Sequence, residues 1–412
     1  MFKPSELFSA SRQQGLQRLQ NFVPSAGRAY AAKRNTDPGP GLRDNVSMLS
    51  PYIRYRLITE REVVAAVLEQ HTPEQAEKFI QEVFWRTYWK GWLQMRPQVW
   101  FDYLAERDED RDRVEQNSGL RTALAEAESG RTGIECLDDW ANELVETGYL
   151  HNHARMWFAS IWIFTLKLPW TLGADFFLRN LVDADPASNT LGWRWVAGIQ
   201  TRGKTYLARP DNIAKYTDER YQPTGLATEA PPIREEEPYA AEPIAPLDPI
   251  PRSTPALLLL HPEDLTGAEH LPGNVEVTGI LLASSFAGKP DWPFGDNART
   301  FLEGAIEDTV QATYNTMGKA VNLVQDVTVD ELTEHAKRSG AECIVTPDAP
   351  VGPIDTALQE LAVSLEQQGI TLYRCRRDWD AAAWPHAMKG FFPFKKAIPK
   401  LLERAGLHDG LS

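Results

Sequence analysis

The sequence predicts an all-helical N-terminal domain, a proline-rich linker and a C-terminal doubly wound, Rossmann-like α/β domain. In residues 1–220 the apolar side chains recur at helical spacing, and no long stretch alternates with a period of two. Residues 221–254 contain eight prolines and few large apolar side chains, which is typical of an extended linker. In residues 255–412 short apolar segments alternate with helical ones, which predicts a parallel sheet covered by helices.

The helices of the first domain are delimited by prolines. A proline is tolerated in the first turn of a helix but breaks its interior. Pro73 therefore opens one predicted helix, Pro97 ends it, and Pro169 ends another. The helical pattern covers residues 62–70, 73–95, 137–147 and 151–168.

The second domain contains five predicted strands and three helices between them. The strands are residues 256–260, 275–283, 320–324, 343–345 and 371–375. The helices are residues 299–316, 329–338 and 355–368. Parallel sheets often bind ligands at the carboxyl ends of their strands, but neither a G-x-G-x-x-G nor a P-loop sequence follows a strand here. With 412 residues in total, each domain is expected to bury a core of its own.

The charge of the chain is unevenly distributed. The net charge is −14, yet residues 1–220 carry 28 Lys and Arg against 29 Asp and Glu, whereas residues 221–412 carry 15 against 28. A basic face that binds nucleic acid is therefore possible in the first half. The mean hydropathy of −0.39 and the short apolar stretch at 156–168 predict a cytoplasmic protein without a membrane partner. Three scattered cysteines favour neither a disulfide framework nor a metal site.

Short sequence blocks in the first domain follow one another in a recognisable order. They are TG at 132–133, TGYLHN at 147–152, Arg155-Met156, Pro169-Trp170, DAD at 183–185, Asn189, Trp193 and Trp195. LSPYIRYRLIT at 49–59 and FIQEVFWRTYW at 79–89 extend the set upstream. Together these blocks resemble the helical FAD-binding domain of photolyases and cryptochromes, and the resemblance spans residues 30–195.

The resemblance implies that FAD is the cofactor and that several residues surround its isoalloxazine ring. Arg155 and Asp183 match the family's paired Arg and Asp beside the flavin. Asp185 matches the carboxylate that hydrogen-bonds the polar edge of the ring, and Asn189 matches the residue that faces its reactive nitrogen. A flavin used as a reductant needs positive charge and directed hydrogen bonds at its ring. The other matches near the cofactor are Tyr30, Arg86 and Asn152.

The turn before Pro51 is expected to bind the pyrophosphate of FAD. Ser47, Leu49 and Ser50 offer backbone N–H groups and hydroxyls where a helix begins. The family carries an Arg at the position of Met48, so one phosphate contact is expected to be absent. Composition alone allows another interpretation, in which Ser50 is a helix cap.

Two tryptophans correspond to the electron relay of the family. Trp193 and Trp170 match its first two members, which pass electrons to the photoexcited flavin. Without the resemblance, both would be interpreted as core packing. The third member is expected before residue 132, where residues 106–130 contain neither Trp nor Tyr. The candidates to replace it are Trp100, Tyr103 and Trp157.

A second group of matches concerns a DNA lesion. Enzymes of this family flip a damaged dinucleotide out of the duplex into a pocket with aromatic walls. Trp85 and Trp195 match the walls, and Glu82 matches the carboxylate that hydrogen-bonds a pyrimidine dimer. The remaining expected substrate contacts are Asn152, Met156, Arg34 and His153. Two positions depart from the family: Phe79 replaces a Trp, and His153 replaces a phosphate-binding Arg.

The resemblance implies two alternative functions, and a third alternative does not depend on it. The first is a photolyase-like lyase that repairs cyclobutane pyrimidine dimers in damaged DNA with blue light. The second is a cryptochrome-like photoreceptor that signals to a protein partner. The third is a helical scaffold without flavin. No metal is expected in any of them.

The order of the domains differs from that of the family. Photolyases normally carry an α/β antenna domain before the helical domain, whereas here an α/β domain follows the linker. Its end, FFPFKKAIPKLL at 391–402, resembles the end of that antenna domain. A second, antenna chromophore would be consistent with the resemblance, but no residue pattern supports it.

Overall fold

The computed structural model describes residues 7–201, 203–234, 237–273, 275–286 and 295–407. Its first half is helical and its second half is built on a parallel sheet, as the sequence predicts. Among the described residues, no helix is long and apolar enough to span a bilayer.

Twelve helices make up the described part of the first half. They are α1 (Arg12–Phe22), α2 (Arg28–Lys33), α3 (Ser50–Arg54), α4 (Glu60–Leu68), α5 (Glu77–Gln94), α6 (Gln98–Gln116), α7 (Ser118–Glu128), α8 (Glu135–Thr147), α9 (Asn152–Ser160), α10 (Trp170–Asn180), α11 (Pro186–Ala197) and α12 (Pro210–Tyr216). A π-helical segment, Ile161–Thr165, continues α9. The helix predicted to open at Pro73 begins at Glu77. Gly148 and Gly198 end α8 and α11 in the left-handed conformation, which glycine adopts without steric cost.

The second half contains a five-stranded parallel sheet. Its strands are β1 (Pro255–Leu260), β2 (Glu276–Phe286), β3 (Val321–Val327), β4 (Cys343–Pro347) and β5 (Thr371–Cys375). Their order is β3-β2-β1-β4-β5, so the chain winds first to one side of β1 and then to the other. The helices are α13 (Asp296–Met317), α14 (Val329–Ser339), α15 (Pro353–Glu366), α16 (Asp378–Ala383), α17 (Phe391–Lys395) and α18 (Ile398–Arg404). The predicted doubly wound α/β class is confirmed.

The proline-rich segment lies on the surface of the helical half. Its described residues, 221–234 and 237–254, contain neither helix nor strand. The Tyr239 hydroxyl donates to Asp102 (2.7 Å), and the Glu242 backbone N–H donates to the Met95 carbonyl (2.8 Å). This part of the linker is therefore attached to α6 and to the end of α5.

The two halves share a hydrophobic core. One buried cluster contains residues of α1 to α5 together with residues of β1, β2, α13 and the C-terminal helices. Phe301 of α13 packs on the rings of Tyr52 and Tyr55, with centroids 5.5 and 5.6 Å apart, and Trp379 stacks on Phe84 at 4.8 Å. Each half also buries a core of its own, as expected, because a second cluster lies almost wholly in the helical half and a third lies wholly in the α/β half.

A candidate flavin site between three helices

The expected site residues lie on three helices that adjoin one another. Helix α11 packs against both α5 and α9. On α5 the expected residues are spaced by three and four positions, which places them on one helix face. Glu82, Trp85 and Arg86 lie on α5, Asn152, Arg155 and Met156 on α9, and Asn189 and Trp195 on α11, while Asp183 and Asp185 come directly before α11. Several of their side chains are partly exposed, so the region is accessible from solvent.

Two arginines and two aspartates form an ion-paired group at the centre of this region. Arg86 donates a hydrogen bond to Asp185, and another of its guanidinium nitrogens lies 3.9 Å from Asp183. Arg155 Nη1 lies 3.6 Å from Asp183, while its Nε donates to the Leu150 carbonyl (2.9 Å). The structure thus brings together three side chains expected at the isoalloxazine ring, Arg155, Asp183 and Asp185, with Arg86, which was expected near the cofactor.

A buried lysine extends this group toward the α/β half. Lys90 Nζ lies 4.0 Å from Asp185 and 3.8 Å from Glu263, which follows β1. Arg54 Nη2 donates to Glu263 at 2.6 Å. The sequence analysis missed these residues. Lys90 could have been found, because it lies one turn after Arg86 on the same helix face.

Burial and the neighbouring charges shift the pKa values of Asp185 and Lys90 in opposite directions. Burial opposes the ionisation of Asp185, but Arg86, Lys90 and Arg54 outweigh it and hold its pKa below the ordinary value. Burial lowers the pKa of Lys90, and the carboxylates of Asp185 and Glu263 counteract that shift. Lys90 Nζ, Arg54 Nη1 and Glu263 Oε2 have no hydrogen-bond partner within the described parts of the chain.

Asn189 and Tyr30 are held rigidly by their neighbours. Asn189 Nδ2 donates to the Ala174 carbonyl (2.7 Å), so its Oδ1 is the atom that can accept a hydrogen bond from a ligand. Tyr30 is buried edge-on against Phe22 and Phe79, with centroids 5.9 and 5.2 Å away. The Phe that replaces the family's Trp thus supports Tyr30.

The expected pyrophosphate loop leads directly into α3. Ser50 is the first residue of this helix, and Leu49, which precedes it, is the N-cap and offers no side-chain bond. The interpretation of Ser50 as the helix cap is therefore wrong. Ser47 is half-buried, and Met48 is buried in the left-handed conformation (φ 50°).

The charges and hydrogen-bonding groups of these side chains suit a flavin. Arg86 and Arg155 are cations with partly exposed side chains (12% and 24%), next to two carboxylates that fix their orientation. Such an arrangement can stabilise negative charge on a ring while excluding most water. These side chains, with Asn189 and the backbone of the loop at 47–50, are the groups that would hold FAD.

The two tryptophans expected to form the electron relay lie on α10 and α11. The Trp193 ring lies against Gly173, one turn after Trp170 on α10. The Trp170 ring is 5.5 Å from Tyr103, and Tyr103 is 5.4 Å from Trp100.

Trp157 lies in a different aromatic cluster. It stacks on Trp140 (5.6 Å) and on His153 (4.0 Å). Of the three candidates for the third relay member, Tyr103 and Trp100 therefore lie in the same series of ring contacts as Trp170, whereas Trp157 does not.

Glu82 and Trp85 occupy the outer part of α5. Arg34 Nη1 donates to Glu82 Oε1 at 2.5 Å. Burial raises the pKa of Glu82, and the Arg34 cation only partly offsets this effect. Trp85 stacks face to face on Phe391 of α17, with centroids 3.7 Å apart and planes at 10°. No local sequence pattern indicates this stacking.

His153 lacks the properties of a phosphate ligand. Its Nδ1 contacts the Asn35 carbonyl (2.9 Å), and its Nε2 contacts the Tyr206 hydroxyl (3.2 Å). Burial lowers its pKa, so the ring is neutral near pH 7. The expected substrate contact of His153 is not supported by this geometry.

The comparisons with known proteins agree with the resemblance. Residues 79–225 match the family model of the FAD binding domain of DNA photolyase. The chain is 31% identical over 201 residues to a deoxyribodipyrimidine photo-lyase of Streptomyces griseus, covering 46% of this chain and 42% of that protein. It is 30% identical over 213 residues to the protein of the same name from Alkalihalophilus pseudofirmus, covering 50% and 42%.

A similar solved structure is that of a bacterial class III photolyase from Agrobacterium tumefaciens. It is 25% identical, with a TM-score of 0.43, and the match covers 52% of this chain and 44% of that one. The matched part spans less than half the length of the curated relatives.

Residues 79–225 are therefore similar to the FAD binding domain of DNA photolyase, and the curated relatives named above are deoxyribodipyrimidine photo-lyases.

Proposed function

We propose that the protein repairs cyclobutane pyrimidine dimers in DNA with blue light. The observation that carries this proposal is the position of Glu82, a carboxyl group with a raised pKa, on the same face of α5 as Trp85 and Arg86. FAD, when bound in reduced form, would supply light absorption and the electron that opens the cyclobutane ring. The two curated relatives, which are named deoxyribodipyrimidine photo-lyases, support the choice.

The side chains around the flavin would orient it and tune its charge. Arg86 and Arg155 place positive charge beside the isoalloxazine, and the aspartates keep both guanidinium groups in position. Asn189 Oδ1 would accept a hydrogen bond from the ring. Trp193 and Trp170 would deliver electrons that restore the reduced cofactor.

The outer residues would bind the flipped dimer. Trp85 and Trp195 offer flat apolar surfaces for the two pyrimidines, and Met156 adds an adaptable contact. Asn152, exposed in the first turn of α9, offers an amide for base-edge hydrogen bonds. Protonated Glu82 would donate to a pyrimidine carbonyl and so stabilise the negative charge that the electron brings.

A repair assay tests this function. Protein with chemically reduced FAD is mixed with UV-irradiated oligo-thymidylate under blue light, and the absorbance of restored thymines is followed against a dark control. We expect recovery in the light only. Absence of recovery by protein that retains FAD would contradict repair.

A photoreceptor role is the second candidate. Two residues expected to contact DNA are already engaged, because Arg34 pairs with Glu82 and both ring nitrogens of His153 are hydrogen-bonded. In this case the flavin would be photoreduced and a protein partner would respond. Light-dependent FAD reduction without thymine recovery would favour it.

The raised pKa of Glu82 predicts a pH dependence of repair. A carboxyl whose pKa is raised stays protonated at higher pH, and it loses its donor proton as the pH rises through that pKa. We expect the repair rate per bound dimer to fall as the pH rises through the pKa of Glu82. The variant Glu82→Gln keeps a donor that does not titrate, so its profile should be flat there. Glu82→Ala should slow repair about 10- to 100-fold, the equivalent of a charged hydrogen bond. A Glu82→Gln profile that still falls as in the wild type would contradict the assignment.

A further inference from the structure

The α/β half contributes one carboxylate to the charged group beside the expected flavin. Glu263 follows β1 and is 3% exposed. Its Oε1 accepts a hydrogen bond from Arg54 (2.6 Å), and its Oε2 lies 3.8 Å from Lys90 Nζ. Lys90 Nζ is in turn 4.0 Å from Asp185, which accepts a hydrogen bond from Arg86. A continuous series of opposite charges therefore runs from the loop after β1 to Arg86.

Glu263 does more than pair with Arg54. An arginine and a carboxylate commonly form two parallel hydrogen bonds, which engage both oxygens. Here only one oxygen accepts from Arg54, while Oε2 faces Lys90 and has no hydrogen-bond partner among the described residues. One carboxylate thus lies between two buried cations.

The charge of Lys90 depends on its two carboxylate neighbours. Its side chain is 2% exposed, and its ammonium group makes no hydrogen bond within the part of the chain that the structure describes. Burying such a group costs on the order of several kcal/mol. Burial lowers the pKa of Lys90, and Arg54 and Arg56 add to this effect, whereas Asp185 and Glu263 counteract it. Removal of either carboxylate would therefore favour the neutral amine.

We propose that Glu263 is a positioning residue for the flavin site, because it holds the ammonium group of Lys90 charged beside Asp185. The inference rests on FAD binding at this site, which the proposed function requires, and it does not depend on DNA repair. A cation near the ring favours the negative charge that reduction brings. With Lys90 neutral, Asp185 would lose one of the cations that surround it, and reduction of the flavin would become less favourable.

This series of charges links the two halves of the protein electrostatically as well as by packing. An acid in the α/β half would set the affinity for electrons of a cofactor held in the helical half. Such coupling is reciprocal. Negative charge at the ring would in turn favour the charged form of Lys90 and strengthen its attraction to Glu263.

The test uses two isosteric substitutions in adjacent residues. Glu263→Gln removes the charge that faces Lys90, Lys90→Met removes the ammonium group directly, and a third protein carries both changes. Asp264→Asn is the matched control, because Asp264 is 2% exposed in the same loop. It pairs with Arg56 (3.3 Å) and with Arg377, so its substitution loosens the same interface without removing a neighbour of Lys90.

The main measurement is the reduction potential of bound FAD, determined in the dark against a dye of known potential. We expect Glu263→Gln and Lys90→Met each to lower this potential, with a decrease of about fivefold or more in the equilibrium constant for reduction. In the Lys90→Met background, Glu263→Gln should lower it no further. Asp264→Asn should retain the wild-type potential, although its melting temperature falls. Glu263→Asp keeps the charge but withdraws it by one methylene, so it should lower the potential by less, and it replaces Glu263→Gln if that variant does not fold.

A second measurement concerns stability. Urea unfolding of the same proteins with excess FAD gives a double-mutant cycle for Lys90 and Glu263. We expect the double variant to be less destabilised than the sum of the two single variants, because each single change leaves a buried charge without its partner. Additive effects would mean that the two side chains do not interact.

Three further results would overturn this inference alone. A wild-type or higher potential in Glu263→Gln would mean that Lys90 keeps its charge without Glu263. An equally large fall in the Lys90→Met background would mean that Glu263 does not act through Lys90. An equal fall in Asp264→Asn would assign the effect to a loosened interface. A wild-type protein that takes up no FAD would instead overturn the proposed function, and this inference with it.

Discussion

Asp185→Asn is expected to destabilise the protein by about 3–5 kcal/mol and to release FAD, because it removes one partner from a buried ion-paired group. Asp185 is 2% exposed and accepts hydrogen bonds from Arg86 and from the Ser188 backbone N–H (2.8 Å). Asparagine caps helices as well as aspartate does, so the cap of α11 is preserved and the change is one of charge. Arg86 and the buried Lys90 would then each lose one of two carboxylate neighbours, and only Asp183, 3.9 Å from Arg86, and Glu263, 3.8 Å from Lys90, would remain. Urea unfolding followed by circular dichroism and the FAD content after gel filtration measure the two effects.

Asp211→Asn is the matched control. Asp185 is the N-cap of α11, and Asp211 lies in the first turn of α12, so both are at the start of a helix. Asp211 likewise pairs with an arginine, Arg209, but its side chain is 66% exposed. Exposed pairs contribute little, so we expect a change within about 0.5 kcal/mol. A destabilisation by Asp185→Asn as small as that of the control would contradict the importance of the buried group.

Phe301→Ala is expected to lower the free energy of unfolding by about 3–5 kcal/mol and to weaken both halves together. Phe301 is 4% exposed and packs on Tyr52 and Tyr55 across the interface. Because the hydrophobic cluster is continuous, the cavity left by the substitution borders both parts. Amide hydrogen exchange of α4 and of β1, which both contribute to this cluster, should accelerate to a similar extent when read by mass spectrometry.

The control for this variant is Tyr314→Ala. Tyr314 lies on the same helix, α13, but is 52% exposed, so its truncation should leave exchange almost unchanged. Faster exchange confined to β1 in Phe301→Ala would mean that the halves unfold independently.

The sequence predicts the elements well where the pattern is local. Short apolar runs marked the five strands, and prolines marked the ends of several helices, because both signals act within a few residues. The charged centre was also predictable, since Arg155, Asp183 and Asp185 occur in blocks that resemble a known domain. Their roles toward a flavin stay predictions.

Contacts between distant segments were not predictable. Glu263 reaches Lys90, and Phe391 reaches Trp85, across long stretches of chain, and no periodicity encodes such pairs. The neutral state of His153 follows from burial and two neighbours that the sequence does not place together. The shared core depends likewise on how the two halves pack against each other.

The contact between Trp193 and Gly173 sets how closely two helices can approach. A Cβ atom at residue 173 would lie 2.3 Å from Trp193 Cη2 and 2.9 Å from Trp162 Nε1, closer than any such atoms can come. Even one methyl group would push α11 away from α10. If Trp170 and Trp193 pass electrons as proposed, the separation of α10 and α11 that the electron crosses depends on the absence of a side chain at residue 173.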